Sequence, residues 1–203
     1  MPVMSKADEL LNYVRPFRVG SGRLPSVADS KTIERLAHGL KQENPAPALD
    51  QSLGCLAGLW ECIFTSSRFV LGLDRMPFVR TSAVYQQMVI HPDGRTGHYF
   101  NIAELSRGGA VKCVCGEFAT VRSSQSHLDR LEVQYEWFYF AMRVLSRYEG
   151  HVALAGELQA QELPRSVRLP FHGCGWQSTL YLDGRMRVVE GNKGGLFILL
   201  KRG

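Results

Sequence analysis

The sequence predicts a mainly β protein, an antiparallel barrel that follows a short helical segment. Strand-like segments succeed one another between residues 55 and 200 without long helices between them, which favours antiparallel neighbours. The end of the chain has the pattern of two tight hairpins, whereas its beginning carries helical periodicity. Many short strands must close or stack to protect their edges, and a barrel of about eight strands can hold one small ligand.

Two short helices are predicted before the strands. Ser5 is expected to cap the first, because Asp8 follows three residues on and apolar residues then recur at helical spacing. Asp29 or Ser30 is expected to cap the second helix. The apolar face of that helix is predicted to consist of Ile33, Leu36, Ala37 and Leu40.

The pattern changes from helical to β after a proline-rich stretch that ends at Pro47. We therefore divide the chain into an N-terminal helical segment at residues 1–48 and a barrel domain at residues 49–203. Strand composition or alternation marks the segments 55–65, 83–90, 97–105, 110–121, 131–142 and 177–200.

Residues 181–202 are predicted to form two hairpins that share a middle strand. Asp183-Gly184 lies between alternating apolar residues, a combination typical of a type I′ turn. Gly191-Asn192-Lys193-Gly194 supplies the next turn. The polar residues of this segment can also be interpreted as a binding cluster, although turn-forming, structural or solvated roles are favoured; they are Asp183, Arg187, Asn192 and Lys193.

Composition and charge exclude several classes of protein. Hydrophobic residues make up 45% of the chain and charged residues 21%, which are ordinary globular values. No apolar run approaches the roughly 20 residues that span a bilayer. The net charge is +5, but the 24 lysines and arginines are scattered, which argues against nucleic-acid binding and is compatible with peripheral contact with an anionic membrane. The irregular cysteines and the lack of a secretory signal predict reduced thiols in a bacterial cytoplasm.

Neither a metal site nor catalytic chemistry is predicted. Cys113 and Cys115 share one strand face with about 7 Å between their Cα atoms, whereas structural zinc ligands usually come from C-x₂₋₄-C turns. A metal site would have to recruit His127, His172 or Cys174, and the two cysteines are more typical of small core residues. The Gly-x-Ser-x-Gly motif is absent, so we expect a protein that is not an enzyme and requires no cofactor.

Gly58-Leu59-Trp60 opens the first predicted strand. A Gly-x-Trp at this place resembles the entrance signature of lipocalins, in which a tryptophan closes one end of the barrel and a cation packs over the indole. The cation is expected to come from Arg187, Lys201 or Arg202.

Ordered blocks of sequence run through most of the chain. They are Ile33-Glu34-Arg35-Leu36 through Glu43-Asn44-Pro45, Gly58-Leu59-Trp60 with Phe64-Thr65-Ser66-Ser67, Phe100-Asn101-Ile102, Tyr181-Leu182-Asp183, Arg187-Val188, and Gly191-Asn192-x-Gly194-x-Leu196-Phe197-Ile198-Leu199. In this order they resemble the PAP/fibrillin family, the plastid lipid-associated proteins of chloroplasts and cyanobacteria. Residues that match the family motif and are expected to be structural are Gly58, Asp183, Arg187, Gly191, Asn192 and Gly194.

Four positions depart from the pattern of that family. Arg185 stands where an acidic residue is usual, and Glu190 stands where an arginine is usual. Cys62 and Phe64 replace a leucine and a tyrosine in the first strand. The chain therefore resembles a divergent member, which we expect to be cyanobacterial.

The resemblance implies a lipocalin-like barrel that binds or transports a hydrophobic small molecule at or near photosynthetic membranes. The implied ligand is an isoprenoid, carotenoid, quinone or fatty acid, and the implied roles include photoprotection. The implied location is cytoplasmic, peripheral to thylakoid membranes or lipid droplets. Strand alternation predicts a pocket that consists of Trp60, Phe64, Val84, Met88, Tyr135, Trp137, Leu182 and Phe197.

Two other functions stay open at this point, as does the oligomeric state. One is a chromophore lyase or another enzyme on the same barrel, which would need a convergent acid and base inside it. The other is a membrane-associated interaction protein whose barrel is packed solid. Its partner would meet an outer aromatic face that consists of Phe138, Phe140 and Met142.

Overall fold

Eight antiparallel strands form a closed barrel in chain order in the computed structural model, and the last strand pairs with the first. The structure describes residues 4–46, 49–71, 81–105, 109–122, 129–142 and 167–202. The strands are β1 (Gly58–Thr65), β2 (Thr81–Ile90), β3 (Thr96–Leu105), β4 (Ala110–Arg122), β5 (Asp129–Met142), β6 (Val167–Leu182), β7 (Met186–Gly191) and β8 (Leu196–Arg202). The predicted mainly β, antiparallel barrel is confirmed.

One apolar cluster fills most of the barrel interior, and every strand contributes to it. Its largest fully buried members include Trp60, Met88, Tyr99, Phe118 and Leu131. Two further apolar clusters are buried on the outer side of the barrel wall. Because both faces of several strands are buried, β1 reads as a nearly continuous apolar run rather than a clean alternation.

Two helices cover part of the outer wall. They are α1 (Lys6–Val14) and α2 (Val27–Gly39), and each runs into a short 3₁₀ turn, Arg15–Phe17 and Leu40–Glu43. Their apolar faces pack against outward residues of β1, β6, β7 and β8. This burial of an amphipathic face stabilises helices that are too short to be stable alone.

The helix caps agree with the sequence prediction at one helix and differ at the other. The Ser5 hydroxyl accepts a hydrogen bond from the Asp8 backbone N–H at 3.1 Å, as predicted. The cap of α2 is Ser26 rather than Asp29 or Ser30. Ser26 Oγ accepts from the backbone N–H of Asp29, and the Asp29 carboxylate accepts from the backbone N–H of Ser26, which is a complete capping box. The predicted start of α2 is therefore wrong and lies about one turn too late in the sequence.

Polar contacts fasten the N-terminal segment to the barrel. Arg18 and Arg202 both form ion pairs with Glu61, which is nearly buried on the outer side of β1. Arg185, at a position that departs from the family pattern, pairs with Asp8 of α1 at 2.8 Å. The Arg185 substitution is therefore matched by a residue of the helical segment.

A short helix, α3 (Leu49–Leu56), precedes β1 and blocks one end of the barrel. The strand predicted at residues 55–65 is wrong at its beginning, because Cys55 belongs to α3. The indole Nε1 of Trp60 donates to the Leu56 carbonyl at 2.8 Å. Lys201 Nζ lies 5.3 Å from the centroid of the Trp60 ring and donates to the carbonyl of Cys55 at 3.2 Å. Among the three predicted cations, Lys201 is the one that packs over the indole.

β-bulges reverse the predicted orientation of two aromatic residues. The β1–β8 register shifts between Cys62 and Phe64, so Phe64 packs on the outer wall against the helices. The β5–β6 register shifts between Tyr135 and Trp137, so Trp137 also lies outside, with the Arg168 guanidinium 3.6 Å from its ring centroid. The inward assignments of Phe64 and Trp137 are wrong, because a bulge inserts one residue and exchanges the two faces beyond it.

The turn at Asp183 has a geometry other than the predicted type I′. Gly184 has no positive φ, whereas a type I′ turn requires it. Asp183 Oδ1 instead accepts from the backbone N–H groups of Arg185 at 2.7 Å and Met186 at 2.6 Å. These hydrogen bonds lower the pKa of Asp183, although its partial burial opposes them. The carboxylate holds the turn together, which is an Asx-type turn.

Cys62, Cys113 and Cys115 are buried thiols. Burial raises the pKa of Cys62 to about 12 and that of Cys115 to about 11, and it also raises the pKa of Cys113 well above its ordinary value. Cys113 and Cys115 lie in the outer apolar cluster of β3–β5, as small core residues. Within the described residues no group of His, Cys, Asp or Glu side chains could hold a metal ion, and His127 lies outside that part of the chain.

A glycine of β4 lies opposite a bulge in β5, where the two backbones approach closely. A Cβ atom at Gly116 would lie 2.0 Å from the carbonyl oxygen of Gln134. We therefore expect Gly116→Ala to lower the free energy of unfolding by about 1–3 kcal/mol, because the backbone of β5 must shift. Urea unfolding followed by circular dichroism measures the change.

Gly184→Ala is the matched control, because no atom lies within 4 Å of a Cβ built there. Its effect should stay within about 0.5 kcal/mol. Equal effects of the two substitutions would contradict the close approach of β4 and β5.

Candidate functional site

A cavity of about 310 Å³ opens at the end of the barrel opposite α3. It lies between the middle of β5, residues 171–177 of β6, the β7–β8 turn and the beginning of β8. Its apolar lining residues are Val70, Val114, Tyr135, Phe171 and Phe197. Its polar lining residues include Ser67, Asn101, Gln177, Asn192 and Lys193. The barrel interior is therefore packed at one end and open at the other.

Glycines on the inward side of the wall leave this space unfilled. Gly173 and Gly175 alternate on β6 and face Tyr135 of β5, and the β7–β8 turn adds Gly191 and Gly195. A Cβ atom at Gly175 would lie only 3.3 Å from the Tyr135 ring. The ring of Tyr135 thus occupies the volume that an ordinary side chain of β6 would take, and the rest stays open.

Aromatic rings form one side of the cavity, with Tyr135 and Phe171 in its lining and Tyr99 behind Tyr135. The Tyr135 ring centroid is 6.3 Å from that of Tyr99 and 6.1 Å from that of Phe171, both in edge-to-face contact. Such pairs are rigid and apolar. They give the cavity a continuous wall along which an extended apolar chain can lie.

The inner end of the cavity is polar, because a buried arginine lies behind it. Arg187 points inward from β7 and has no exposed surface, at 0%. Its Nη2 donates to Gln177 Oε1 at 3.1 Å, and its Nη1 lies 3.4 Å from Gln86 Oε1 and 3.1 Å from Met88 Sδ. Gln177 Nε2 in turn donates to the Tyr99 hydroxyl at 2.7 Å. Gln177 therefore connects the cavity, which it lines, with the Arg187 guanidinium, to which it is hydrogen-bonded.

The charge of Arg187 is not neutralised by any residue that the structure describes. No carboxylate of the described residues pairs with it. Burial lowers its pKa to about 10, so the group remains a cation at neutral pH. An unpaired ion in a protein interior costs several kcal/mol. The interior therefore holds a cation whose counter-charge the described residues do not supply.

Several polar atoms around the cavity and its inner end lack hydrogen-bond partners. Among the described residues, Arg187 Nε and Gln86 Nε2 are buried donors without an acceptor, and Asn101 Oδ1 is a buried acceptor without a donor. Buried polar groups are normally satisfied, and each exception needs an explanation. These three atoms lie on the inward side of β7, β2 and β3, so they belong to the barrel interior.

The predicted pocket residues fall into three groups. Tyr135 and Phe197 line the cavity. Phe64 and Trp137 lie outside the barrel, as described above. The remaining residues belong to the close-packed part of the interior cluster; they are Trp60, Val84, Met88 and Leu182.

The motif residues that were expected to be structural also divide. Gly58 at the start of β1 and Gly194 in the β7–β8 turn have positive φ values of 112° and 69°, which favour glycine. Gly191 and Asn192 border the cavity. Arg187 was expected to be structural or solvated, and the structure places it inside the barrel. The sequence analysis did not identify three parts of the cavity lining: Asn101, Gln177 and Gly173-Cys174-Gly175. Polar residues and paired glycines within an apolar strand are the signal that could have found them.

An outer depression of about 420 Å³ lies on the wall of β4–β6. It is bordered by Glu117, Glu132 and Trp176, whose ring lies 4.2 Å from the Arg130 guanidinium. Charged residues on the outer side of a strand are ordinary, so the depression carries no argument about function.

A closed antiparallel barrel with an apolar-walled cavity at one end is the architecture of proteins that enclose a small molecule. The PAP_fibrillin family model matches residues 6–200 of this chain, so the chain belongs to the PAP/fibrillin family. Neither a curated protein nor a solved structure gave a significant match. In the part of the chain that the structure describes, no helix is long and apolar enough to cross a membrane.

The hydrogen bond between Gln177 and Tyr99 is expected to stabilise the interior. In Tyr99→Phe, the buried Gln177 Nε2 loses its acceptor, and the free energy of unfolding should fall by about 1–3 kcal/mol. Tyr13→Phe is the matched control, because its hydroxyl donates to Asp29 at the surface, where water can replace it. Urea unfolding of the two variants measures the difference, and an equal loss in both would contradict the buried network.

Proposed function

We propose that this protein binds a hydrophobic small molecule inside the barrel, at or near a photosynthetic membrane. The observation that carries the proposal is the unfilled end of the interior, a cavity of about 310 Å³ with an aromatic wall. Burial of an apolar ligand there would stabilise the complex by about 25 cal/mol per Å². Membership of a family of lipid-associated proteins supports the same class of ligand.

The size of the cavity favours some of the expected ligands over others. At about 310 Å³ it lies at the lower end of the roughly 300–1,000 Å³ that ligand pockets occupy. A single alkyl or isoprenoid chain suits that volume better than a bulky carotenoid. We therefore favour a fatty acid, an isoprenoid or the tail of a quinone.

Exposed apolar side chains next to the mouth support exchange with a lipid surface. Leu169 and Phe171 of β6 and Met142 of β5 are exposed, and Phe171 also lines the cavity. A ligand could pass from a bilayer or lipid droplet along these residues without crossing water. Peripheral contact with a thylakoid membrane or lipid droplet, from the cytoplasmic side, and a role in photoprotection are part of the proposal.

The alternative of a solid barrel with an outer aromatic face is less well supported. Phe138 is the register partner of Val114, which lines the cavity, so the two side chains lie on the same side of the sheet. Phe140 and Met142 follow at alternate positions, so they share this side. The predicted outer face is therefore wrong in its placement, because the bulge before Trp137 turns these residues inward.

Organic extraction tests the proposal. The protein is incubated with lipids extracted from photosynthetic membranes, re-purified, and analysed by mass spectrometry and absorbance. We expect one lipid per chain in the wild type and much less in Gly173→Leu, whose side chain would enter the cavity, where a Cβ has no neighbour closer than 3.4 Å.

Gly54→Leu is the matched control, because Gly54 is exposed on α3 and a Cβ there meets no atom within 4 Å. It should retain the lipid. A wild type without stoichiometric lipid, or equal loading of the wild type and Gly173→Leu, would overturn binding in this cavity.

A further inference from the structure

The buried guanidinium of Arg187 has the surroundings of an anion site. It is held in one orientation by Gln86 and Gln177, and its Nε has no partner. Hydrogen bonds that a guanidinium donates to neutral amide oxygens orient it but leave its charge uncompensated. Since no carboxylate of the described residues compensates this charge, an anion that enters through the cavity would do so.

One side chain, that of Gln177, lies between the cavity and the Arg187 guanidinium. Gln177 lines the inner end of the cavity and is the acceptor for Arg187 Nη2. A glutamine side chain can rotate, so a ligand oxygen can take the place of Gln177 Oε1 while the Gln177 amide stays near Tyr99.

The unpartnered atoms match a carboxylate better than a neutral oxygen. A carboxylate has two oxygens with about four lone-pair sites, and arginine binds it with two parallel N–H···O bonds. Arg187 Nε and Gln86 Nε2 are both donors without acceptors. A hydroxyl or a quinone oxygen would satisfy a donor here but would leave the positive charge buried.

The walls of the cavity set the direction of the ligand. Its inner end is polar at Gln177 and Asn101. Phe197, Val70 and Phe171 give the outer part an apolar surface, beside the polar Ser67, Asn192 and Lys193. An amphiphile therefore fits with its head group inward and its chain toward the mouth.

We propose that the cavity binds a single-chain carboxylate, a fatty acid or an isoprenoid acid, with its carboxylate on Arg187 and its chain along Tyr135 and Phe197. This inference rests on the proposed function and names the ligand class within it. It excludes carotenoids and unmodified quinones as the preferred ligand, because neither carries an anion.

The test compares probes that share a chain and differ in the head group. Dodecanoate, dodecanol and methyl dodecanoate are titrated into the full-length protein at neutral pH by calorimetry. We expect dodecanoate to bind at least about tenfold more tightly than the other two, a difference of about 1.4 kcal/mol.

Two arginine variants locate the origin of that preference. Arg187→Met removes the charge at similar length, and all three probes should then bind with similar affinity. Arg185→Met removes the exposed arginine that pairs with Asp8, and it should retain the preference for dodecanoate. Circular dichroism confirms that each variant is folded.

A second measurement needs no variant. Dodecanoate with a labelled carboxyl carbon reports its ionisation by NMR, and the pKa of the bound carboxyl should be lower than that of the free acid because a nearby cation favours the carboxylate. If Arg187→Met does not fold, this titration and the wild-type ratio of acid to alcohol affinity decide the matter.

The outcomes separate the two proposals. Equal affinity of the wild type for acid and alcohol, or an unshifted carboxyl pKa, would overturn the carboxylate site and leave lipid binding intact. If no probe binds but extraction yields a neutral isoprenoid, only the carboxylate site is overturned. If no probe binds and extraction yields no lipid, the carboxylate site and lipid binding are both overturned.

Discussion

The pairing of β8 with β1 is the constraint on which the rest of the structure depends. It removes the two free edges of the sheet and encloses an interior, which an open sheet of the same strands would lack. It also produces the outer wall on which α1 and α2 lie, because that wall combines residues of β1 with residues of β6–β8. The residues 59–65 and 197–202 that form this pairing are therefore shared by the interior, the helical cover and the ion pairs of Glu61.

Within the closed barrel, the size of the inward side chains decides where a ligand can lie. The end near α3 is filled by large residues such as Trp60, Phe118 and Leu131. The other end has glycines at inward positions of β6 and of the β7–β8 turn, so space remains beside Tyr135. Between them lies Arg187, which is too polar to pack as an apolar residue and too deep to be solvated. The interior thus has three zones along the barrel axis: an apolar packed end, the cationic Arg187, and a cavity with aromatic walls.

Much of the fold could be predicted from the sequence. Strand alternation located most strands, the first helix cap was correct, and the position of Trp60 near a closed end was anticipated. The beginning of β6 at Val167 and the helix α3 were not predicted. The bulges beyond Cys62 and Tyr135 could not be predicted either, since an inserted residue leaves no mark in a strand that is apolar on both faces.

Apolar residues on both faces of the strands also made the site hard to recognise from the sequence. On β7, Met186 and Val188 face the helices, while Arg187 and Val189 face the interior. Both sets include apolar residues, so alternation alone cannot tell which side is inside. Only the closure of the barrel decides this, and that is a property of the whole chain rather than of one segment. Arg187 could be recognised as a motif residue, but not as a buried one.

The cover that α1 and α2 form has a consequence for the order in which the protein can fold. Leu10 and Ile33, near the start of the chain, are buried against Leu180, Val188 and Ile198, near its end. β1 likewise finds its second neighbour only in β8. Contacts between residues this far apart in sequence make folding slow, because the chain must lose the entropy of a long loop before they form. During synthesis, the first helices and β1 must therefore wait for the last strands, and their apolar faces are the surfaces that a chaperone would encounter.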